Sequence, residues 1–177
     1  MRRKNIFLVE RNNADKKKYK IIHPFDGRLI PLRPEVLKEN SKRLADKLDW
    51  GRSNYIVGFA EGGILSSYGV AEVTGIPLIG SYRVRLVVDN EIHFTEPHST
   101  RADHYVYGLK NGDRIVIVED EITTGSTLLS ALEEFERNGV IVDDIGAFIL
   151  GGGVENLGKI SSKGYQLKYL FDENDFS

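Results

Sequence analysis

Short apolar runs alternate with helical stripes through the middle of the chain. Residues 55–59 and 115–118 are apolar runs of strand length, and each is followed by a turn and then by apolar residues at helical spacing. The clearest stripe, residues 128–135, stops before Asn138 and Gly139, as helices often do. Strands that alternate with helices in this way favour right-handed crossovers and a mainly parallel sheet, whose ligands gather at the carboxyl ends of the strands. The pattern therefore predicts an α/β fold.

Weaker patterns of the same kind predict the remaining elements. We expect strands before Glu10 and over residues 19–22, a helix from Pro34 to just before Gly51, a helix over residues 64–73, and strands over residues 78–82 and 144–150. Residues 83–94 alternate around Asp89 and Asn90, which predicts a β-hairpin. Residues 95–104 show no core pattern, which predicts a mobile loop.

Composition limits the class of protein. The chain has 177 residues, 41% of them hydrophobic, so it can bury one sizeable core but is short for two, and we expect one domain over residues 1–177. A net charge of −2 gives no reason to expect nucleic acid or a membrane surface as a partner. The chain has no cysteine, which excludes disulfides and suits the cytoplasm. Too few apolar residues precede Glu10 for a signal peptide or a membrane span.

The most informative stretch begins where the run 115–118 ends. An acidic pair, Glu119 and Asp120, precedes a hydroxyl-rich turn that opens a helix and consists of Thr123, Thr124, Gly125, Ser126 and Thr127. A helix N-terminus presents unpaired N–H groups and the positive end of the dipole, so this turn can hold a phosphate without a lysine. The carboxylates can accept hydrogen bonds from a vicinal diol and can bind Mg²⁺. A phosphate site beside a diol site predicts a ribose 5-phosphate.

A simpler interpretation makes Thr123 a helix N-cap, with the acidic residues only favouring the dipole. Capping needs one hydroxyl, however, whereas four hydroxyls and a glycine stand here. Other phosphate loops fit less well, because the chain has no GxxxxGK[ST] run and the glycines at 151–153 lack the GxGxxG spacing.

Residues 115–127 resemble the phosphoribosyl-pyrophosphate signature of the type I phosphoribosyltransferases, in which an apolar run and two acids precede Thr-Thr-Gly and further hydroxyls. The resemblance implies that family's fold, a mainly parallel sheet flanked by helices, with a small hood and a flexible loop hairpin. It also implies that residues 123–127 hold the 5-phosphate, and that Glu119 and Asp120 hold the ribose hydroxyls and Mg²⁺. The pair Thr123-Thr124 looks most like the orotate-type members.

If the resemblance holds, a second loop binds the pyrophosphate, and Ala60, Glu61, Gly62 and Gly63 stand in its place. Family members often have a non-proline cis peptide here, which turns amides toward the ligand. Glu61 departs from the family, because a carboxylate about 4 Å from a phosphate charge costs on the order of 4 kcal/mol at an effective dielectric of 20. We expect Glu61 to turn away; the alternative is that Mg²⁺ or an arginine such as Arg83 offsets it. A structural role for the glycines, as a tight turn, also stays open.

Two further segments extend the predicted site. Arg83 stands where the family commonly places a basic residue on pyrophosphate, although it could instead be an exposed hairpin residue. Residues 95–104 occupy the place of the flexible catalytic loop, in which Arg101 and His104, or His98, are candidate catalytic residues beside Asp120.

That loop also resembles the His-Ser segment of phosphoribosyltransferase-like proteins associated with tellurite-resistance operons, and it lacks the paired lysines of the orotate enzymes. A zinc site on His93, His98 and His104 is the alternative for these histidines, but their spacing matches no common zinc motif.

The reaction that the resemblance implies is transfer of a phosphoribosyl group from phosphoribosyl-pyrophosphate to a nitrogen of a nucleobase, orotate-type or purine, with release of pyrophosphate. A hood from about residues 1–34 and 160–177 should cover the base, and Tyr169 or Phe171 could stack on it. A homodimer is expected from the family, with the 83–94 hairpin at the contact. The rival interpretation is a non-catalytic sensor that keeps the fold and the ligand, which Glu61 would favour.

Overall fold

Five parallel strands form the central sheet of the protein, whose computed structural model describes residues 6–10, 19–97, 103–151 and 155–175. In chain order the elements are β1 (Phe7–Glu10), β2 (Tyr19–Ile22), α1 (Pro34–Ala45), β3 (Tyr55–Gly58), α2 (Gly63–Thr74), β4 (Leu78–Gly80), β5 (Glu91–Thr95), β6 (Asp103–Tyr107), β7 (Arg114–Ile122), α3 (Ser126–Arg137), β8 (Ile141–Leu150), α4 (Glu155–Ser162), β9 (Leu167–Phe171) and a 3₁₀ helix (Glu173–Asp175). The central sheet has the order β4-β3-β7-β8-β9. The predicted α/β class and parallel sheet are confirmed.

Both faces of the sheet are covered, which explains why its strands are continuous apolar runs. In β7, Ile115, Val116, Ile117 and Val118 are all fully buried and point alternately to the two faces. Helix α3 and the β5–β6 pair cover one face, whereas α1, α2 and Phe25 cover the other. The carboxyl edge of the sheet is therefore the part of it left for a site.

Helix α1 begins at a proline and helix α2 ends at a glycine, the residue types that the sequence analysis used to bound these helices. Helix α1 starts with Pro34, whose missing N–H costs nothing at a first helical position. Helix α2 ends at Gly75, which adopts the left-handed conformation with φ 76°. Among the described residues, no helix combines the length and hydropathy needed to cross a membrane.

The hairpin lies further along the chain than predicted. Strand β5 pairs antiparallel with β6, from Glu91 opposite Tyr107 to Thr95 opposite Asp103. Asn90 does turn, with φ 59°, but residues 83–89 form no strand on its other side, so the predicted 83–94 hairpin is wrong. Strand β6 escaped prediction because one of its inward positions is a histidine, which breaks the apolar pattern.

The C-terminal segment departs from the predicted hood. Residues 167–171 form β9, an edge strand of the central sheet beside β8, so the placement of 160–177 in a hood is wrong. The N-terminal segment does pack over this end of the sheet. Phe25 is fully buried, with its ring centroid 4.8 Å from that of Phe148 and 5.9 Å from that of Phe171.

Replacing Phe25 by Ala should lower the free energy of unfolding by about 3–5 kcal/mol, the usual cost of the cavity left by a buried phenylalanine. Phe7→Ala is the control, because Phe7 is 36% exposed in the N-terminal hairpin, and its effect should stay below about 1 kcal/mol. Urea denaturation followed by circular dichroism measures both values. Equal, small effects would mean that the N-terminal segment does not dock on the core.

Candidate active site

A cavity of about 370 Å³ opens at the carboxyl ends of β3, β4 and β7. Among the residues that the structure describes, its lining has three basic side chains, Lys20, Arg28 and Arg83, and six acidic ones, Asp26, Glu61, Glu96, Glu119, Asp120 and Glu121. Such an excess of carboxylates can accept an anionic ligand only where backbone amides, arginines or a metal cation offset it.

The hydroxyl-rich turn forms one wall of this cavity. Residues 123–127 all line it, and the turn leads directly into α3, whose N-terminal amides border the same space. Gly125 is the N-cap and has φ 71°, a conformation that favours glycine. The interpretation of Thr123 as the N-cap is therefore wrong. The threonines and serine of the turn therefore lie beside a helix N-terminus at the cavity wall.

The acidic pair lies on β7 itself, because the strand continues to Ile122 instead of ending at Val118. The backbone N–H of Phe59 donates to Oε1 of Glu119 at 2.8 Å. A Cβ atom on Gly62 would lie 2.0 Å from Oδ2 of Asp120, and one on Gly63 would lie 2.4 Å from Oε1 of Glu119. The two glycines are thus required by the contact between the turn after β3 and the two carboxylates.

The turn after β3 contains the cis peptide expected from the family, between Ala60 and Glu61. The Glu61 side chain is 63% exposed at the cavity mouth, and its carboxylate lies 3.5 Å from the guanidinium of Arg28. An arginine therefore does neighbour this carboxylate, but it comes from the N-terminal segment and is not Arg83. This pairing weakens the electrostatic objection that Glu61 raises against pyrophosphate.

Burial makes the acidic pair unusually easy to protonate. It raises the pKa of Glu119 well above the ordinary value of 4.5, and the neighbouring Asp120 charge raises it further, whereas the Phe59 N–H acts in the opposite direction. Burial also raises the pKa of Asp120, and the nearby His23 partly offsets the rise. A bound cation or hydroxyl donor would favour the ionised carboxylates.

His23, which sequence reasoning did not single out, lies fully buried beneath the acidic pair. Its Nε2 is 3.6 Å from Oδ2 of Asp120 and 3.7 Å from Oε2 of Glu121, and burial lowers its pKa. Its Nδ1 accepts the N–H of Phe25 at 3.2 Å, so the neutral ring carries its proton on Nε2. A metal on His23, Asp26 and Asp120 would need that nitrogen deprotonated. The Nε2 proton faces the two carboxylates but has no hydrogen-bond partner among the described residues.

Arg83 lines the cavity as predicted, but its neighbours were not foreseen. Its Nη2 donates to Oε2 of Glu96 at 2.8 Å. His104 also borders the cavity, yet it belongs to β6 and is 1% exposed, so its placement in a mobile loop is wrong. Its ring is stacked on Phe94, with centroids 4.9 Å apart, and its Nδ1 lies 2.9 Å from Oγ of Ser81.

The zinc alternative does not fit the hairpin. Within it, His93 is opposite Tyr105 and His104 is opposite Phe94, and such neighbouring register positions face opposite sides of a β-ladder. His93 is exposed and bonds Oδ1 of Asp103 at 2.8 Å, whereas His104 points inward. The third histidine, His98, lies outside the described residues, as does Arg101.

The aromatic cover predicted for a base does not line the cavity in the part of the chain described. Phe171 packs on Phe25 instead, and Tyr169 stands on the edge strand β9. The cavity wall at this side comes from Lys20, Asp26 and Arg28, residues that no local motif marks.

A family described as phosphoribosyl transferase matches residues 6–144, a stretch that holds both loops of the cavity, and the chain belongs to this family. Solved adenine phosphoribosyltransferases share its fold. That of Leishmania tarentolae has a TM-score of 0.76 at 20% identity, over 99% of this chain and 87% of its own. That of Trypanosoma brucei, solved with AMP, pyrophosphate and ribose-5-phosphate, has a TM-score of 0.76 at 17% identity, over 99% and 79%.

Two proteins with higher sequence identity to this chain are named hypoxanthine/guanine phosphoribosyltransferases. The hypoxanthine/guanine phosphoribosyltransferase of Methanothrix soehngenii is 31% identical over 154 residues, 84% of this chain and 78% of its own length. The protein of the same name from Methanopyrus kandleri is 27% identical over 150 residues, 84% and 79%.

Glu119→Gln should raise the melting temperature of the ligand-free protein near neutral pH. A carboxyl group whose pKa is higher in the folded state destabilises the fold where it is ionised in both states, and this penalty disappears as the pH falls toward 4.5. The stability difference between wild type and variant should therefore shrink on acidification. Glu133→Gln, on the exposed side of α3, is the control and should show no such trend. A destabilised Glu119→Gln at neutral pH would contradict the assigned burial.

Proposed function

We propose that the protein transfers the 5-phosphoribosyl group of phosphoribosyl-pyrophosphate to a nitrogen of a purine base. The observation that carries this proposal is that one cavity joins the hydroxyl-rich start of α3, the acidic pair and the glycine turn. The preference for a purine over an orotate-type base is supported by the names of the relatives by sequence.

The sugar is held at the α3 side. The amides and hydroxyls of residues 123–127 bind the 5-phosphate, and the dipole of α3 favours its negative charge. The carboxylates of Glu119 and Asp120 accept hydrogen bonds from the ribose hydroxyls. Two ends of the ribose are then fixed to one strand and the helix that follows it, which orients C1 for attack.

The reaction itself needs no covalent enzyme intermediate. A base nitrogen forms a bond to C1 while the bond from C1 to the pyrophosphate oxygen breaks, and the electron pair leaves with pyrophosphate. Amides of residues 61–63 and the Arg83 guanidinium stabilise the leaving group, whereas the N–H of Ala60 donates to Oγ of Ser81. Asp120 stabilises positive charge on the sugar ring or exchanges a proton with the base, and Arg101 would add a hydrogen-bond donor.

The donor set suits Mg²⁺, which prefers carboxylate oxygens. Glu119 and Asp120 would hold it, and when bound it would neutralise charge on the pyrophosphate. Both carboxylates lie against Gly62 and Gly63, so their oxygens stand between the two proposed ligand-binding loops.

Phosphoribosyl-pyrophosphate with Mg²⁺ should raise the melting temperature, since a ligand at a hundred times its dissociation constant adds roughly 2.7 kcal/mol. In ³¹P NMR, pyrophosphate should appear when hypoxanthine, guanine or adenine is added and not with orotate.

Asp120→Asn should weaken ligand binding by tenfold or more, about 1.4 kcal/mol. Asp46→Asn, exposed after α1, is its control. If phosphoribosyl-pyrophosphate stabilises the wild type but no pyrophosphate is released, a sensor is favoured. If it does not stabilise the wild type, the proposed function is refuted.

We also propose a homodimer in the cytoplasm. Exposed apolar side chains cluster in the segment between β4 and β5, where Val84, Leu86, Val87 and Val88 are 45–104% exposed, and a second subunit would bury them. Cytoplasmic location rests on composition alone, since the chain has no cysteine.

Sedimentation velocity at micromolar concentration should show a dimer, and Val87→Glu should shift it toward monomer because a buried charge would oppose the contact. Val9→Glu, in the N-terminal hairpin, is the control for an added charge at an exposed valine. A wild-type protein that sediments only as a monomer would exclude this assembly.

A further inference from the structure

A buried hydrogen-bond donor without an acceptor stands at the pyrophosphate side of the cavity. Nε2 of His104 has no hydrogen-bond partner among the described residues, although the side chain is 1% exposed. Such donors are rare in folded proteins, because removal from water is not compensated. The neighbours of His104 suggest what the donor is for.

The hydrogen bond at Nδ1 of His104 decides whether Nε2 carries a proton. Oγ of Ser81 accepts the N–H of Ala60 at 2.8 Å and lies 2.9 Å from Nδ1 of His104. We assign the Ser81 hydroxyl proton to the contact with Nδ1. Burial lowers the pKa of His104 and keeps the ring neutral. With Nδ1 as acceptor, the remaining proton is on Nε2.

Among the described residues, the acceptor that lies near that proton is already engaged. Oε2 of Glu96 lies 3.9 Å from Nε2 of His104, too far for a hydrogen bond, and the same oxygen accepts Nη2 of Arg83 at 2.8 Å. A movement of about 1 Å would bring the carboxylate to hydrogen-bond distance of His104 and away from Arg83. Glu96 immediately follows β5 and lies outside the β5–β6 ladder.

We infer that Glu96 competes with pyrophosphate for Arg83, and that His104 receives the displaced carboxylate on its Nε2–H. Arg83 then donates to the leaving group, while the charge of Glu96 stays hydrogen-bonded at the rear of the site. Glu96 and His104 are positioning residues in this scheme, since they act through Arg83. The inference rests on the proposed function, because it assigns pyrophosphate to this side of the cavity.

If Glu96 only held Arg83 in position, Glu96→Gln would change the pyrophosphate affinity in the opposite direction. The direction of the change therefore distinguishes the two roles. If Glu96 only orients Arg83, Glu96→Gln should weaken the binding of Mg²⁺-pyrophosphate. If Glu96 competes with pyrophosphate, the same change should tighten it, by roughly fivefold for one partly buried charge pair. The affinity for ribose 5-phosphate, measured in the same way by calorimetry, should not change, because that ligand has no pyrophosphate.

A matched control separates competition from a general loss of negative charge. Glu91 lies on the same hairpin and pairs with Arg85 at 2.9 Å, but it does not line the cavity. Glu91→Gln should leave the affinity for pyrophosphate unchanged. Equal tightening by both variants would overturn the inference.

The role of His104 is tested by combining variants. His104→Phe keeps an aromatic ring against Phe94 but removes the Nε2–H that would receive the displaced carboxylate of Glu96, so pyrophosphate should bind roughly threefold or more weakly. In the Glu96→Gln background the same change should have no further effect. Equal weakening in both backgrounds would mean that His104 acts through Ser81 and Ala60, which would overturn the inference.

Titration of the wild type distinguishes failure of the proposed function from failure of the Glu96 competition. A wild type that binds neither phosphoribosyl-pyrophosphate nor pyrophosphate would refute the proposed function together with this inference. A wild type that binds both, with no tightening in Glu96→Gln, would refute the inference alone.

Discussion

The contact between the turn after β3 and the acidic pair on β7 is the constraint on which the site depends. Strands β3 and β7 are parallel neighbours, with Val57 opposite Ile117, so the turn after one reaches the carboxylates of the other. Only residues without a Cβ fit at Gly62 and Gly63, because Asp120 and Glu119 fill the space. Any side chain there would separate the two loops and divide the cavity.

Local sequence signals predicted the parts of the site that are continuous in the chain. Three motifs are each recognisable from a few consecutive residues: the acidic pair, the hydroxyl-rich turn and the glycine turn. The parallel sheet brings them together. Contacts between residues that are distant in sequence, such as Arg28 with Glu61 or His23 with Asp120, produce no periodic pattern in the sequence. For the same reason, the alternation before β5 predicted a hairpin without identifying β6 as its partner strand.

The buried charges of the cavity lower the stability of the fold near neutral pH. Burial raises the pKa of both Glu119 and Asp120, so keeping them ionised costs folding free energy near neutral pH. An apolar or amide replacement would relieve that cost and remove the carboxylate oxygens that we propose bind the ribose diol and Mg²⁺. Residues that destabilise the ligand-free fold in this way are typical of functional sites.

The β5–β6 hairpin is joined to the charged cavity by two sets of contacts. His104 on β6 lies 2.9 Å from Ser81, which accepts the amide of Ala60, while Glu96 directly after β5 pairs with Arg83. Glu96, His104, Ala60 and Arg83 all line the cavity. The position of the hairpin is therefore coupled to the glycine turn through the first set of contacts and to the Arg83 guanidinium through the second.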